Sequence, residues 1–157
     1  MKSNLDFERK TGIAIVSIAA KEEGYESVPY PLEHALVYFL KHNRFPFKYS
    51  FNWHYCLREA YREWLKEYRK NFIEYPHSLE LAEDLMSLSA SGILKMKASA
   101  TAFLPGPVSE KKRDLYIQRF DKESPLKFSQ VRRYVKQALA HPKTLLDQCY
   151  VWYINEI

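Results

Sequence analysis

FPFKYSFNWHYCLREAYREWLKEYRKNFIEY, the stretch from Phe45 to Tyr75, decides the fold of this chain. It holds eleven of the chain's 24 aromatic residues within 31 positions. In its first part every second residue is aromatic, which is typical of an extended segment with one apolar face. The alternating residues are Phe45, Phe47, Tyr49, Phe51, Trp53 and Tyr55.

After Trp53 the apolar spacing changes to that of an amphipathic helix. The stripe consists of Trp53, Leu57, Tyr61, Trp64 and Tyr68. We therefore predict an extended arm that leads into a long helix over about Asn52–Asn71, with Asn52 as its N-cap. Charges of both signs on the far face indicate a solvated, salt-bridged surface. They are Arg58, Glu59, Arg62, Glu63, Lys66, Glu67, Arg69 and Lys70.

The composition is that of one ordinary globular domain. A chain of 157 residues with 46% hydrophobic and 27% charged residues can bury its own core. Only four glycines are present, and hairpin dipeptides such as Asn-Gly are lacking, which argues against an all-β fold. We expect a single domain over residues 1–157, mainly α with a small β hairpin.

Three helices are predicted around the aromatic stretch. The first runs from about Asn4 to Glu23 and ends at Gly24, although a strand over Ile13–Ala20 fits the same apolar run. The second covers Pro31–Asn43, with proline at its first position. The third covers Ser78–Gly92, with a serine cap and a glycine stop.

The segment after Gly92 alternates apolar and polar residues from Leu94 to Ala102 and predicts an extended strand. Leu115–Phe120 fits either a returning strand or a short helix. Two further helices are expected, one opened by Ser124-Pro125 and one opened by Pro142 or Thr144.

This order of elements is typical of a winged-helix module. We predict such a part over about 31–120, with Ser78–Gly92 as a core or recognition helix and Lys95–Phe120 as the wing. A helical part over about 124–157 follows it.

Positive charge is concentrated in one region. The chain carries +5 overall, whereas Lys95–Lys136 alone holds eleven Lys or Arg against four acids, a local +7. Such a patch can bind phosphates without reading sequence, although a solvated face would look the same. The candidate nucleic-acid residues are Lys95, Lys97, Lys111, Lys112, Arg113, Arg132, Arg133 and Lys136.

The aromatic arm has two interpretations. Its rings could stack the bases of a single strand, but only Arg44 and Lys48 accompany them. We favour an arm that covers the core or contacts a partner protein. The candidate interface is Phe45, Phe47, Tyr49, Phe51 and Trp53.

No catalytic motif is present, and we expect no catalytic residue, cofactor, small-molecule substrate or metal. The five histidines are dispersed, and neither Cys56 nor Cys149 has the spacing of a zinc ligand. The strand pattern over Ile93–Leu104 contains no acid for a nuclease site. Without a signal-peptide pattern or an apolar run near 18 residues, we expect a cytoplasmic protein that does not enter the membrane.

Two stretches carry a family resemblance. Tyr30–Leu40 (YPLEHALVYFL) and Leu81–Ala98 (LAEDLMSLSASGILKMKA) resemble the small winged-helix accessory subunits of bacterial three-component ABC or SMC-like ATPase systems. The resemblance implies a non-enzymatic winged-helix adaptor that docks on an ATPase and helps it engage DNA or a nuclease effector in anti-phage or anti-plasmid defence. The alternatives are a stand-alone interaction factor, such as a phage-encoded inhibitor or antitoxin, and a small nuclease.

Overall fold

The structure, a computed structural model, describes residues 2–62, 64–66, 69–96, 102–105 and 110–156. Within them the chain forms six α-helices and five short β-strands, which confirms a mainly α fold with a small β part. The elements are α1 (Lys2–Glu22), β1 (Val28–Pro29), α2 (Tyr30–His42), β2 (Asn52–Leu57), β3 (Phe72–His77), α3 (Leu79–Ala90), β4 (Leu94–Met96), β5 (Ala102–Pro105), α4 (Glu110–Glu123), α5 (Phe128–Ala140) and α6 (Pro142–Glu156).

The predicted helix boundaries are largely confirmed. The apolar run Ile13–Ala20 is the buried centre of α1 and not a strand. Gly24 follows that helix with φ +91°, a left-handed conformation that favours glycine. The Ser78 hydroxyl accepts a hydrogen bond of 3.2 Å from the Leu81 amide at the start of α3. Leu115–Phe120 is helical and lies within α4.

The strands form two separate antiparallel sheets. The first has the order β1-β5-β4, with Val28 opposite Phe103 and Lys95 opposite Leu104. The second is a two-stranded ribbon of β2 and β3, in which Asn52 lies opposite His77 and Leu57 opposite Phe72. We call this second sheet the ribbon.

The predicted long helix over Asn52–Asn71 is wrong. The chain instead forms β2, a 3₁₀ turn over Arg58–Tyr61, a loop, and β3. The stripe that suggested a helix is not one buried face, because Leu57 is 61% exposed whereas Tyr61 is buried. The aromatic residues of this stretch favour strands, and FIEYPH provides an equally strand-prone partner for NWHYCL.

The segment predicted as a wing, Lys95–Phe120, is not extended throughout. Strands β4 and β5 pair with each other, but Glu110–Glu123 is helical. The single strand predicted from Leu94 to Ala102 is instead divided between β4 and β5. Lys97, Ala98, Ser99, Ala100 and Thr101 lie outside the described residues.

The core forms around α1 and α2, and the aromatic arm is part of it. Phe45, Phe47 and Tyr49 are buried, whereas Pro46 and Lys48 between them are exposed, as the alternation predicts. Helices α4 and α5 pack along α1, and α6 packs along α2. No helix among the described residues is long and apolar enough to span a bilayer.

Gly12 lets the arm approach α1 closely, and Gly12→Ala should therefore destabilise the fold. The Cβ that alanine would add lies 2.6 Å from Cε1 of the buried Phe47 ring. Overpacking of this kind costs roughly 1–3 kcal/mol, and alanine regains about 1 kcal/mol of helix propensity. We expect a net loss of about 1 kcal/mol by urea unfolding.

Phe47→Leu tests the cause of that loss, because it removes the ring atom that clashes. The substitution Gly12→Ala should cost less in the Phe47→Leu background than in the wild type. Equal costs in the two backgrounds would contradict the close contact.

Candidate nucleic-acid interface

The ribbon has a base, where Asn52 pairs with His77, and a far end, where a loop joins Leu57 to Phe72. Helices pack on both of its faces near the base. One face carries His54, Tyr75 and His77 and packs on α2. The other carries Trp53, whose ring lies 5.3 Å from that of Tyr153 in α6. Helices α2 and α6 thus cover β3 and Trp53 at the base of the ribbon, whereas Asn52 and His54 on β2 and the far end of the ribbon face solvent.

The far end of the ribbon, which we call the ribbon tip, exposes two aromatic rings. Tyr55 is 70% exposed and Phe72 is 49% exposed. Their ring centroids are 5.8 Å apart and their planes meet at 86°, an edge-to-face contact. A groove of about 550 Å³ runs beside them, lined by Tyr55, Arg69, Lys70, Asn71, Phe72 and Glu74.

A second groove adjoins the first and is lined by cations. It measures about 780 Å³ and is bordered by Arg58, Lys66, Arg69 and Lys143. Arg69 lines both grooves and joins them. The amide of Arg58 donates a hydrogen bond of 2.9 Å to the Asn71 carbonyl, which closes the ribbon at its loop.

The sequence around the ribbon tip contains more cations than acids. Between Leu57 and Phe72 the sequence has five cations and three acids. One of these acids, Glu59, lies 2.6 Å from Arg62. Lys143 also contacts Asp147 at 2.9 Å. The ribbon tip therefore combines exposed rings with an excess of positive charge, a combination typical of nucleic-acid contact.

The structure distributes the predicted phosphate-binding residues over several elements. Lys95 is exposed on β4, and Lys97 lies outside the described residues. Lys111 and Lys112 are exposed in the first turn of α4, and Arg133 and Lys136 are exposed on α5. Among the described part of this patch, no exposed aromatic ring accompanies the cations.

Two of the predicted residues, Arg113 and Arg132, converge on the end of α1. Arg113 forms an ion pair with Glu22, and Arg132 lies 3.4 Å from the same carboxylate. Arg132 also donates a hydrogen bond of 3.0 Å to Glu23. These pairs attach α4 and α5 to α1 and offset part of the positive charge counted from the sequence.

The arm predicted as a protein interface lies mainly in the chain's own core. Phe45, Phe47 and Tyr49 are buried and present no surface to a partner. Phe51 is half-buried beneath the Lys41 ammonium group, 5.6 Å from the ring centroid. Trp53 packs on α6, and so the arm contributes packing rather than an open face.

Three histidines that are dispersed in the sequence stack together between α2 and the ribbon. His34 and His77 have ring centroids 4.4 Å apart, and His77 and His54 are 4.5 Å apart. The Tyr30 hydroxyl and His77 Nε2 share a hydrogen bond of 2.8 Å. His34 Nδ1 accepts one of 3.1 Å from the Ser78 amide, which places its proton on Nε2.

Two of the stacked histidines, His34 and His77, have lowered pKa values that favour the neutral imidazole. Burial, with His77 and His54 beside it, lowers the pKa of His34 to about 2. Burial and His54 also lower the pKa of His77. The sequence alone does not reveal this cluster, because its members come together only through the pairing of β2 with β3 and the packing of α2 on β3. Among the described residues no three ligand-type side chains are placed to hold a metal ion.

Burial also raises the pKa of the Cys56 thiol to about 11, so the thiol is protonated near neutrality.

No family model, curated protein or solved structure matches the chain.

Proposed function

We propose that this chain is a non-catalytic adaptor that contacts nucleic acid through the ribbon tip. The observation that carries the proposal is the juxtaposition of Tyr55 and Phe72 with the two cation-lined grooves. The two exposed rings are adjacent and form a contiguous apolar patch, and such patches often mark contact surfaces. Cations within the same grooves favour a ligand with both flat apolar faces and negative charge.

The order of elements supports a winged-helix-like part. Strand β1 precedes α2, and α3 leads into the hairpin of β4 and β5, which pairs back onto β1. The ribbon and its loop replace the short turn that would join α2 to α3. In this proposal the residues from Phe45 to His77 are an insertion that adds a nucleic-acid contact to a winged-helix frame.

Helix α3 is better suited to protein than to phosphate. It contains no Lys or Arg and carries Glu80, Glu83 and Asp84. Leu79 and Met86, seven residues apart on one face, are 68% and 50% exposed. An adaptor needs a protein-binding surface as well as its nucleic-acid surface, and α3 offers an apolar one.

The partner in this proposal is an SMC- or ABC-type ATPase of an anti-phage or anti-plasmid system, as the resemblance implies. We place the protein in the cytoplasm, where the free thiols Cys56 and Cys149 would stay reduced. Co-purification of an ATPase with the tagged chain from its host tests this part, and Leu79→Ser/Met86→Ser should abolish the association.

The exposed face of α3 also favours a second candidate function, a stand-alone protein-interaction factor such as an inhibitor or antitoxin. That function needs α3 but does not need the ribbon tip. Toxicity or inhibition that responds to Leu79→Ser/Met86→Ser and not to ribbon-tip substitutions would support it over the adaptor.

Charge reversal at the ribbon tip should weaken nucleic-acid binding. We expect Arg69→Glu/Lys70→Glu to reduce affinity for a labelled DNA 20-mer at least about tenfold at 50 mM salt. The slope of log affinity against log salt should fall by about 2, since each lost phosphate contact removes roughly 1. Fluorescence anisotropy at salt concentrations from 50 to 200 mM measures both quantities.

Lys111→Glu/Lys112→Glu is the matched control, because it reverses two exposed cations outside the ribbon tip. The control should retain more affinity than the ribbon-tip variant. If wild-type protein shows no salt-sensitive binding to DNA, or if only the control loses affinity, the proposed site is wrong.

A further inference from the structure

We propose that the ribbon tip binds single-stranded nucleic acid, with one base stacked on Tyr55 and another on Phe72. This inference rests on the proposed function and specifies its ligand. The described parts of the chain leave both rings substantially open to solvent. Stacking of a base on such a ring contributes roughly 1–3 kcal/mol and accepts any base.

The angle between the rings favours an unpaired strand. The planes of Tyr55 and Phe72 meet at 86°, so two bases stacked on them would lie nearly perpendicular to one another. Neighbouring bases in a duplex are parallel and cover each other's faces. Only a strand whose bases can turn apart could use both rings.

The surroundings of the ribbon also disfavour a duplex. A free two-stranded ribbon can enter the major groove of B-DNA lengthwise. Here α2 covers the face that carries His77, and α6 covers the face that carries Trp53. With a helix on each face the ribbon has no free face to lay lengthwise in such a groove, whereas the rings at its far end are open to a flexible single strand.

The backbone of the strand has a cationic path beside the rings. Arg69 lines both grooves, so a nucleotide in the aromatic groove has its neighbouring phosphate directed toward Arg58, Lys66 and Lys143. Glu74 lies opposite Tyr55 across the ribbon and lines the aromatic groove. Its carboxylate can accept a hydrogen bond from an N–H group on a base edge.

The test compares four ligands with the full chain at 50 mM salt: labelled dT20, rU20, a 20-base-pair duplex, and a 20-mer of abasic sites. The abasic strand keeps the phosphates and removes the bases. We expect dT20 or rU20 to bind at least about tenfold more tightly than the duplex or the abasic strand. A further strand, dU20, identifies the preferred sugar by comparison with rU20, because these two differ only at the 2′ position.

Tyr55→Ala should reduce affinity for the base-containing strand by about tenfold and leave the salt slope unchanged, because it removes stacking and no charge. It should not affect the abasic strand. Tyr55→Phe keeps the ring and should retain wild-type affinity, which controls for folding of the ribbon.

The two proposals fail in different ways. If no ligand binds with salt sensitivity, the proposed nucleic-acid function itself is wrong. If the protein binds the duplex or the abasic strand as tightly as dT20 and rU20, or if Tyr55→Ala has no effect, the adaptor proposal stands and single-strand stacking is overturned.

Discussion

Glu33→Gln should become progressively more stable than the wild type as the pH rises from 4.5 to 8. Glu33 is buried in α2, and burial raises the pKa of its carboxyl group from 4.5 to about 8. In this range the folded wild type holds a proton that the unfolded chain has released. Glutamine carries no such proton, so the variant avoids that part of the pH dependence.

The sign follows from proton linkage. A group whose pKa is raised on folding stabilises the fold at low pH and loses that contribution as the pH rises. Between 4.5 and 8, the wild type should lose about 1.4 kcal/mol per pH unit relative to Glu33→Gln. The difference should level off above pH 8, where the carboxyl group is ionised in both states.

The neighbouring His34 contributes with the opposite sign. Its pKa is lowered from 6.5 to about 2, so the folded state excludes a proton that the unfolded state binds. Its stabilising contribution is complete above pH 6.5 and declines as the pH falls toward 2. Between pH 4.5 and 6.5 the contributions of Glu33 and His34 oppose each other.

Urea unfolding at one-unit intervals from pH 4 to 8 measures both effects. His34→Asn is the matched variant, since its side-chain oxygen can still accept from the Ser78 amide. Relative to the wild type, His34→Asn should lose stability as the pH rises from 4 to 6.5. Glu33→Gln should change in the opposite direction and gain stability relative to the wild type as the pH rises. Profiles that run parallel to the wild type for both variants would contradict these ionisation states.

The sequence predicts the helices well because their boundaries depend on local chemistry. Ser78 satisfies an amide of α3 that would otherwise have no partner, and Gly24 adopts a left-handed conformation after α1. The alternation from Phe45 to Tyr49 predicts that the aromatic side chains are buried on one side, because in an extended chain every second side chain points the same way. These features need no knowledge of distant residues.

The local sequence pattern did not predict the ribbon. From Trp53 onward the apolar residues fit the helical period and the strand period equally well over a few positions. What decides between them is the pairing of Cys56 with Ile73 and of Trp53 with Pro76, across a loop. Tertiary pairing outweighs a local period of this kind.

The candidate site was missed for the same reason. On a helix, Arg69 and Lys70 belong to a mixed-charge face away from the rings. On a ribbon with a loop, they border Phe72 and Tyr55. The predicted patch conversely loses part of its charge to Glu22, an acid about ninety residues earlier that no local charge count includes.

Asp84→Ala should destabilise the protein by about 3 kcal/mol, because Asp84 joins three elements within a nearly closed site. It accepts a hydrogen bond of 2.7 Å from the Tyr49 hydroxyl, and Arg9 of α1 lies 3.2 Å from the same carboxylate. The Arg9 guanidinium also lies over the Tyr49 ring, 5.5 Å from its centroid. The substitution removes the carboxylate that the Tyr49 hydroxyl and the Arg9 guanidinium both contact. The loss of one partner from a buried ion pair costs roughly 3–5 kcal/mol.

Glu80→Ala is the matched control for the Asp84 substitution. Glu80 also contacts Arg9, at 3.4 Å, but its side chain is more exposed, so we expect a loss below about 1 kcal/mol. Tyr49→Phe should cost about 1 kcal/mol, the value of one hydrogen bond.

The double variant Arg9→Met/Asp84→Leu should recover much of the loss, since apolar packing can replace a buried ion pair. Urea unfolding at pH 6 measures all four variants. If Asp84→Ala were no worse than Glu80→Ala, the contacts of Asp84 with Tyr49 and Arg9 would not be a major source of stability.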